Sequence, residues 1–144
     1  MREGLTTAAL LVACLLGAGC KSGKLDQCNR LIDAINPHTK VLSLAVEGLT
    51  TVESDPAVVG KLREAADAAD ADLKSLQFDD AKLAGFALAY RKQLAQAREA
   101  GDKLVGAVAS EDPAALHEAV KRADAFLAHQ DDILADLNDY CGGA

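Results

Sequence analysis

The stretch LDQCNRLIDAINPHTKVLSLAVEGL, residues 25–49, decides the fold of this chain. It contains two series of residues spaced seven apart: Cys28, Ile35, Leu42 and Leu49 in the first, and Leu25, Ile32, Thr39 and Val46 in the second. All but Thr39 are apolar, and this spacing places both series on one face of an α-helix, as in a coiled-coil seam. The stretch therefore predicts a long helix with one buried face.

Two residues predict irregularities within otherwise regular helices. Pro37 cannot donate a backbone hydrogen bond to the carbonyl of Asp33, and it disfavours helical backbone at Asn36. The apolar face keeps its phase on both sides of Pro37, so we expect one kinked helix, with a short break as the alternative. Gly101 lies in core phase and costs about 1 kcal/mol of helix propensity relative to alanine. It predicts either a close helix contact or a local bend.

Three more amphipathic segments follow, with almost none of the alternation that strands show. Asp55-Pro56 and Asp112-Pro113 each combine a capping side chain with a proline suited to the first helical position, so they predict the starts of two helices. Residues 77–80 interrupt the pattern between the second and third helices, and Gly142-Gly143 ends the fourth. The residues at helical spacing in the second segment are Val59, Leu62, Ala66, Ala69, Leu73 and Leu76. Those in the third segment are Leu83, Phe86, Tyr90, Leu94, Ala97, Gly101, Leu104 and Val108, and those in the fourth are Leu116, Val120, Ala123, Leu127, Leu134 and Leu137.

Four helices of roughly 20 to 30 residues with short connections predict an all-α, antiparallel up-down-up-down four-helix bundle. The positions of Cys28 and Cys141 agree with this number of helices. A helix of about 25 residues is about 37 Å long, whereas the Cα atoms of a disulfide lie within about 7 Å of each other. Four passes return the chain to the end where it started, so the two cysteines can meet, whereas three or five passes would separate them.

The first twenty residues differ in character from the rest of the chain. Arg2 and Glu3 precede an apolar run from Leu5 to Leu16, and a run of small residues then leads to Cys20. The apolar run is about a dozen residues long, which is shorter than the roughly 20 residues of a membrane-spanning helix. The pattern resembles the signal peptide of a bacterial lipoprotein, in which small residues precede the cysteine that is acylated.

The resemblance implies that residues 1–19 are removed and that Cys20 becomes the lipidated first residue. Gly17 departs from the family pattern, which favours leucine three residues before the cysteine. Cys14 fits this part of the pattern better, but processing there would shorten the apolar core to about seven residues. Cys14 and an ordinary secretory signal are therefore the alternatives. Lys21, directly after Cys20, implies by the same resemblance that the protein is sorted to the outer membrane.

This interpretation divides the chain into a signal peptide (1–19), a lipidated tether (20–24), a four-helix bundle domain (25–141) and a short tail (142–144). We expect the protein to be anchored to a membrane of the bacterial cell envelope, facing the periplasm or the cell surface. Paired cysteines usually form disulfides in such an oxidising compartment. We therefore predict a Cys28–Cys141 disulfide, with two unpaired thiols as the alternative.

Composition and motifs count against several classes of function. The formal net charge of −7 repels phosphate backbones, so we expect no nucleic-acid partner. The sequence has no Cys-x-x-Cys-His for haem attachment, no Glu-x-x-His of the di-iron type, and no methionine other than Met1. Nucleophile-elbow, zinc-protease and phosphate-loop motifs are also missing from the sequence. We therefore predict no cofactor, no metal site and no catalytic residue.

The histidines and one acidic patch are the remaining candidates for chemistry. His117 and His129 share their helical phase with acidic residues and should face solvent, whereas His38 lies beside the seam of the first helix. The acidic patch consists of Glu64, Asp67, Asp70 and Asp72. We expect Asp67 and Asp70 to point away from the core, because a solvated helix needs a charged outer face.

These observations predict a non-enzymatic, membrane-anchored envelope lipoprotein with a structural or protein-interaction role. Its partners would be the membrane, through the lipid anchor, and an envelope protein. The alternative is a small-molecule carrier that holds haem or an apolar ligand between its helices near His38. In that case Pro37 could open the helix packing.

Overall fold

The computed structural model of this chain describes residues 23–51, 55 and 57–142. Four long helices make up these ranges: α1 (Lys24–Gly48), α2 (Ala57–Lys74), α3 (Ala81–Ala109) and α4 (Pro113–Gly142). A short 3-10 helix, Leu49–Thr51, follows α1, and the described ranges contain no strand. The predicted all-α four-helix bundle is confirmed.

Aspartate side chains cap the starts of α2 and α4, as their sequence signals predict. The Asp55 carboxylate accepts a hydrogen bond from the backbone N–H of Ala57 at 3.2 Å. The Asp112 carboxylate accepts from the N–H groups of Ala114 and Ala115 at 3.0 and 3.1 Å. Each cap satisfies N–H groups that have no partner within the helix. The proline after Asp55 and the glycine after Gly142 lie outside the described residues.

The first helix is continuous through Pro37, so the alternative of a break there is wrong. It begins at Lys24, one residue before the predicted start. The first series of seven-spaced residues is buried, but Leu25, from the second series, is 60% exposed. Leu31, which belongs to neither series, is fully buried instead. The core face of α1 is therefore centred between Cys28 and Leu31.

Contacts between the helices establish their antiparallel order. Arg63 of α2 forms an ion pair with Asp102 of α3, and Asp67 pairs with Arg98, so residue numbers rise along one helix as they fall along the other. Helix α3 packs most extensively on α4, and the contact between α1 and α4 is the smallest of the four between adjacent helices. We call the end with the starts of α1 and α3 the disulfide end, and the opposite end, with residues 110–112, the far end.

The buried face of α4 differs by about one residue from the predicted one. Leu116, Val120, Leu127 and Leu134 are only half-buried. The buried residues are Ala119, Ala123, Phe126, Gln130, Leu137 and Cys141. A hydrogen bond explains this orientation, because the Gln130 amide donates to the hydroxyl oxygen of buried Tyr90 at 2.6 Å. Pairing these two polar groups offsets the cost of burying them.

Gly101 marks a close contact between α3 and α2. A Cβ atom placed on Gly101 would lie 3.1 Å from Cγ1 of Val59 and 3.6 Å from Cδ2 of Leu62. The first distance is shorter than ordinary van der Waals contact, so the absence of a side chain lets the two helices approach. Of the two roles that the sequence left open for Gly101, close helix contact is therefore the one observed.

Candidate functional site

The residues that carry the lipidation prediction lie outside the described part of the chain. Cys20 and its alternative Cys14 both fall within residues 1–22, and the described residues begin at Gly23. Lipidation of Cys20 therefore stays a prediction. The described residues that follow it most closely in sequence belong to the disulfide end, which is the candidate site.

Cys28 and Cys141 meet at the disulfide end, as predicted. Their sulfur atoms are 2.13 Å apart and their Cα atoms 5.9 Å apart, and both residues are buried. The bond joins the first turns of α1 to the last turn of α4 across 113 positions of sequence. In the chain-entropy description, closing a loop of this length stabilises the fold by about 4 to 5 kcal/mol. The disulfide is therefore a major source of stability for this domain.

A buried glutamine holds the connection between α2 and α3 against this end. The side-chain oxygen of Gln27 accepts hydrogen bonds from the backbone N–H groups of Asp79 and Asp80 at 2.8 and 3.1 Å. Arg30, one turn further along α1, donates to the carbonyl of Gln77 at 3.4 Å. Sequence reasoning missed Gln27, although a polar residue directly beside a seam cysteine is a signal of a buried hydrogen bond.

Asp80 and Tyr140 form the polar centre of the disulfide end. Asp80 caps α3 by accepting from the N–H groups of Lys82 and Leu83, and it also accepts from the Tyr140 hydroxyl at 2.8 Å. Hydrogen bonds, first from Leu83 and then from Tyr140, lower the pKa of Asp80. The pKa of Tyr140 is raised because its hydroxyl donates to Asp80, beside which a phenolate would be repelled.

Two lysines lie against the ring of Tyr140. The ammonium nitrogen of Lys24 is 3.9 Å from the ring centroid and that of Lys82 is 4.4 Å from it, distances typical of cation–π contacts. Asp136 and Asp139 line the same shallow depression, so both signs of charge are present. These contacts tie the first turns of α1 and α3 to the end of α4. Their arrangement closes this end of the bundle.

His38 has a partner on the neighbouring helix. Its Nε2 atom lies 2.7 Å from a carboxylate oxygen of Asp72, and the contact links α1 to α2. His117 and His129 are exposed, as predicted, and His129 lies 3.9 Å from Asp132. In the carrier alternative His38 would bind the ligand. Asp72 already contacts one of its two ring nitrogens, so a ligand would have to use the other nitrogen or displace Asp72.

Three of the four residues of the acidic patch on α2 pair with neighbouring helices, and the prediction that Asp70 points away from the core is wrong. Asp70 is only 7% exposed. It accepts from Arg91 of α3 at 2.7 Å and pairs with Lys74 at 2.6 Å, while Asp67 pairs with Arg98. Burial alone would raise the pKa of Asp70, but the bonds from Lys74 and Arg91 outweigh it, so this pKa is lowered. Sequence alone could not reveal a partner 21 positions away on the next helix.

Within residues 23–51, 55 and 57–142, no cluster of three or more histidine, cysteine, aspartate or glutamate side chains could hold a metal ion. None of the helices in these same ranges has the length and apolar character needed to cross a membrane. No protein-family model, curated protein or solved structure matches this chain.

Proposed function

We propose that this chain is a lipid-anchored protein of the bacterial cell envelope with a non-enzymatic role, either structural or in protein interaction. The observation that carries the proposal is the pairing of Cys28 with Cys141. Disulfides persist in oxidising compartments outside the cytoplasm. The lipoprotein-like pattern that ends at Cys20 leads to the same compartments, so a sequence feature and a structural feature support one location.

The short distance along the chain between Cys20 and α1 supports an anchor close to the disulfide end. Three residues, 21–23, separate the two, and an extended chain spans at most about 3.6 Å per residue. The start of α1 would therefore lie within about 14 Å of an acylated Cys20. This limit keeps the start of α1, and with it the disulfide end, close to the bilayer, whereas the far end lies roughly 43 Å away along α3 and is not held by the tether.

The anchor can be tested by fractionation and intact-mass analysis of the full chain expressed in a bacterial host. We expect a membrane-bound protein that begins at Cys20 and carries more than one acyl chain, because one chain binds a membrane only weakly. Cys20→Ser should abolish acylation and membrane attachment, whereas the matched Cys14→Ser variant should keep both. An unmodified mature chain in the soluble fraction, or acylation that depends on Cys14, would contradict the assignment.

The role can be tested by crosslinking in intact cells beside native mass spectrometry of the purified protein. A structural or interaction role predicts a reproducible envelope protein in the crosslinked complex and no stoichiometric ligand near α1. The carrier alternative predicts a bound chromophore or apolar ligand that disappears in His38→Ala. Finding such a ligand would overturn the proposal, because His38 would then be a ligand-binding residue and not only the partner of Asp72.

A further inference from the structure

A groove of about 420 Å³ lies between α3 and α4, and residues of these two helices alone line it. Buried Ala100 and Phe126 form part of its apolar lining, together with Ala125. The volume falls within the roughly 300 to 1,000 Å³ of small-molecule sites. The small alanine side chains on both helices leave this space open. The groove is separate from the disulfide end and from His38.

Gln93 gives the groove an unused polar group. This residue is only 8% exposed, it lines the groove, and it has no hydrogen-bond partner among the described residues. Its amide nitrogen and oxygen are not among the enclosed, unpartnered side-chain atoms of the described residues, so they are accessible from the groove. The amide therefore has donor and acceptor capacity that a molecule in the groove can use in place of water.

Cations from both helices line the groove. Lys103 of α3 contacts Glu99 at 2.6 Å, and Nε of Arg122 on α4 donates to Glu118 at 3.1 Å. Each cation has further N–H donors, since lysine carries three and arginine five. The hydrogen bond from Lys103, and to a lesser degree the charge of Arg122, lowers the pKa of Glu99. Lys103 and Arg122 therefore face the same groove from opposite sides, one from α3 and the other from α4.

We propose that this groove binds a small organic anion with a flat apolar body, such as an aromatic carboxylate. Arg122 and Lys103 would bind the carboxylate, since guanidinium groups match its geometry. The apolar body would lie on Ala100 and Ala125, and the Gln93 amide would contact its polar edge. Glu99 also lines the groove, so the ligand carboxylate would share Lys103 with Glu99 and Arg122 with Glu118, using the N–H donors that these two pairs leave over. The inference is independent of the proposed lipid anchor.

The test uses the full chain and two probes of nearly the same shape, one anionic and one neutral. Binding of 6-fluoro-2-naphthoate and of the neutral 6-fluoro-2-naphthamide is measured by ¹⁹F NMR line broadening against a protein-free blank. We expect saturable binding of the naphthoate at one site, and a dissociation constant at least about tenfold higher for the amide, because the charge-assisted hydrogen bonds are lost. Equal affinity for both probes would overturn the specificity for anions.

Three variants locate the site. Arg122→Gln should weaken naphthoate binding by about tenfold, while Lys61→Gln, which removes an exposed charge from α2, should leave it unchanged. Ala125→Leu should abolish binding by filling the groove, and because Ala125 is exposed it should leave the helical circular dichroism intact. No saturable binding, or binding that neither Arg122→Gln nor Ala125→Leu weakens, would refute the groove as the site.

Discussion

The two ends of the bundle are closed by different kinds of contact. At the disulfide end the contacts join residues far apart in sequence: Cys28 with Cys141, and Asp80 with Tyr140, 60 positions away. At the far end the turn between α3 and α4 is closed by neighbours. There the N–H of Asp112 donates to the carbonyl of Ala107, five residues earlier, at 3.2 Å.

This difference separates local from long-range sources of structure. The far turn has the hydrogen bonds of a Schellman motif followed directly by a capped helix, so a few consecutive residues specify it. The disulfide end can close only after four helices have brought its residues together. We therefore expect the two ends to respond differently to substitutions.

The largest effect is expected for Cys141→Ser. Removing the crosslink should lower the free energy of unfolding by about 4 to 5 kcal/mol, because the unfolded chain regains conformational entropy. Urea denaturation followed by circular dichroism measures this loss. Amides that exchange only through global unfolding should lose protection equally, whereas amides near Cys28 and Cys141 should lose more because the disulfide end can then open locally. Equal loss of protection at the two ends would contradict the contrast between them, and two free thiols in the folded wild type would contradict the bond itself.

Core truncations should affect both ends equally. Leu137 near the disulfide end and Leu104 near the far end are both fully buried, so Leu137→Ala and Leu104→Ala should each cost about 2 to 5 kcal/mol. Half-buried Leu127 provides the control, since Leu127→Ala should cost less. The measurement is the denaturation midpoint at constant slope. A much smaller effect for Leu104→Ala would show that the far end is not part of the cooperative core.

A stabilising change is expected at the far turn. Glu111 has a φ angle of 52°, in the left-handed region that glycine tolerates without a steric penalty. Glu111→Gly should therefore raise the free energy of unfolding by about 1 kcal/mol. Glu111→Ala is the matched control, because it removes the same charge but keeps the steric penalty. Equal melting temperatures for the two variants would show that the backbone conformation is not the cause.

The smallest effect concerns the pH dependence of the disulfide end. The pKa of Asp80 is lower in the folded protein than in the unfolded chain, so its contribution is present above about pH 4 and is lost as the pH falls further. Asp80→Asn should therefore show a smaller fall in melting temperature between pH 6 and pH 2 than the wild type. Exposed Asp131, which has no hydrogen-bond partner in the described ranges, provides the control variant Asp131→Asn, which should follow the wild type.

The fold could be predicted because its signals are local. The aspartates at positions 55 and 112 specify helix starts through their own neighbouring N–H groups. The spacing of the apolar residues specifies four helices. Because four is an even number of passes, the chain returns to the end where it started, and Cys28 can meet Cys141. None of these steps requires knowledge of how one helix is rotated against another.

The details of the polar sites could not be predicted because they depend on how each helix is rotated about its axis relative to its neighbours. Asp70 is buried because Arg91 approaches it from α3, and Gln130 faces the core because Tyr90 does. The groove between α3 and α4 depends on where two sets of small residues face each other. Periodicity within one helix identifies neither partner, although a glutamine near core phase, such as Gln93, is a usable signal.

The Cys28–Cys141 bond also determines how the domain carries mechanical load. A pull on the two chain ends enters through the first turn of α1 and leaves through the last turn of α4, where a covalent bond joins them. The tension passes through the sulfur atoms and bypasses nearly all of the chain between them. Beyond the first turn of α1, the helices are then neither stretched nor sheared, so the domain resists such a pull with the strength of a covalent bond and not with that of its packing.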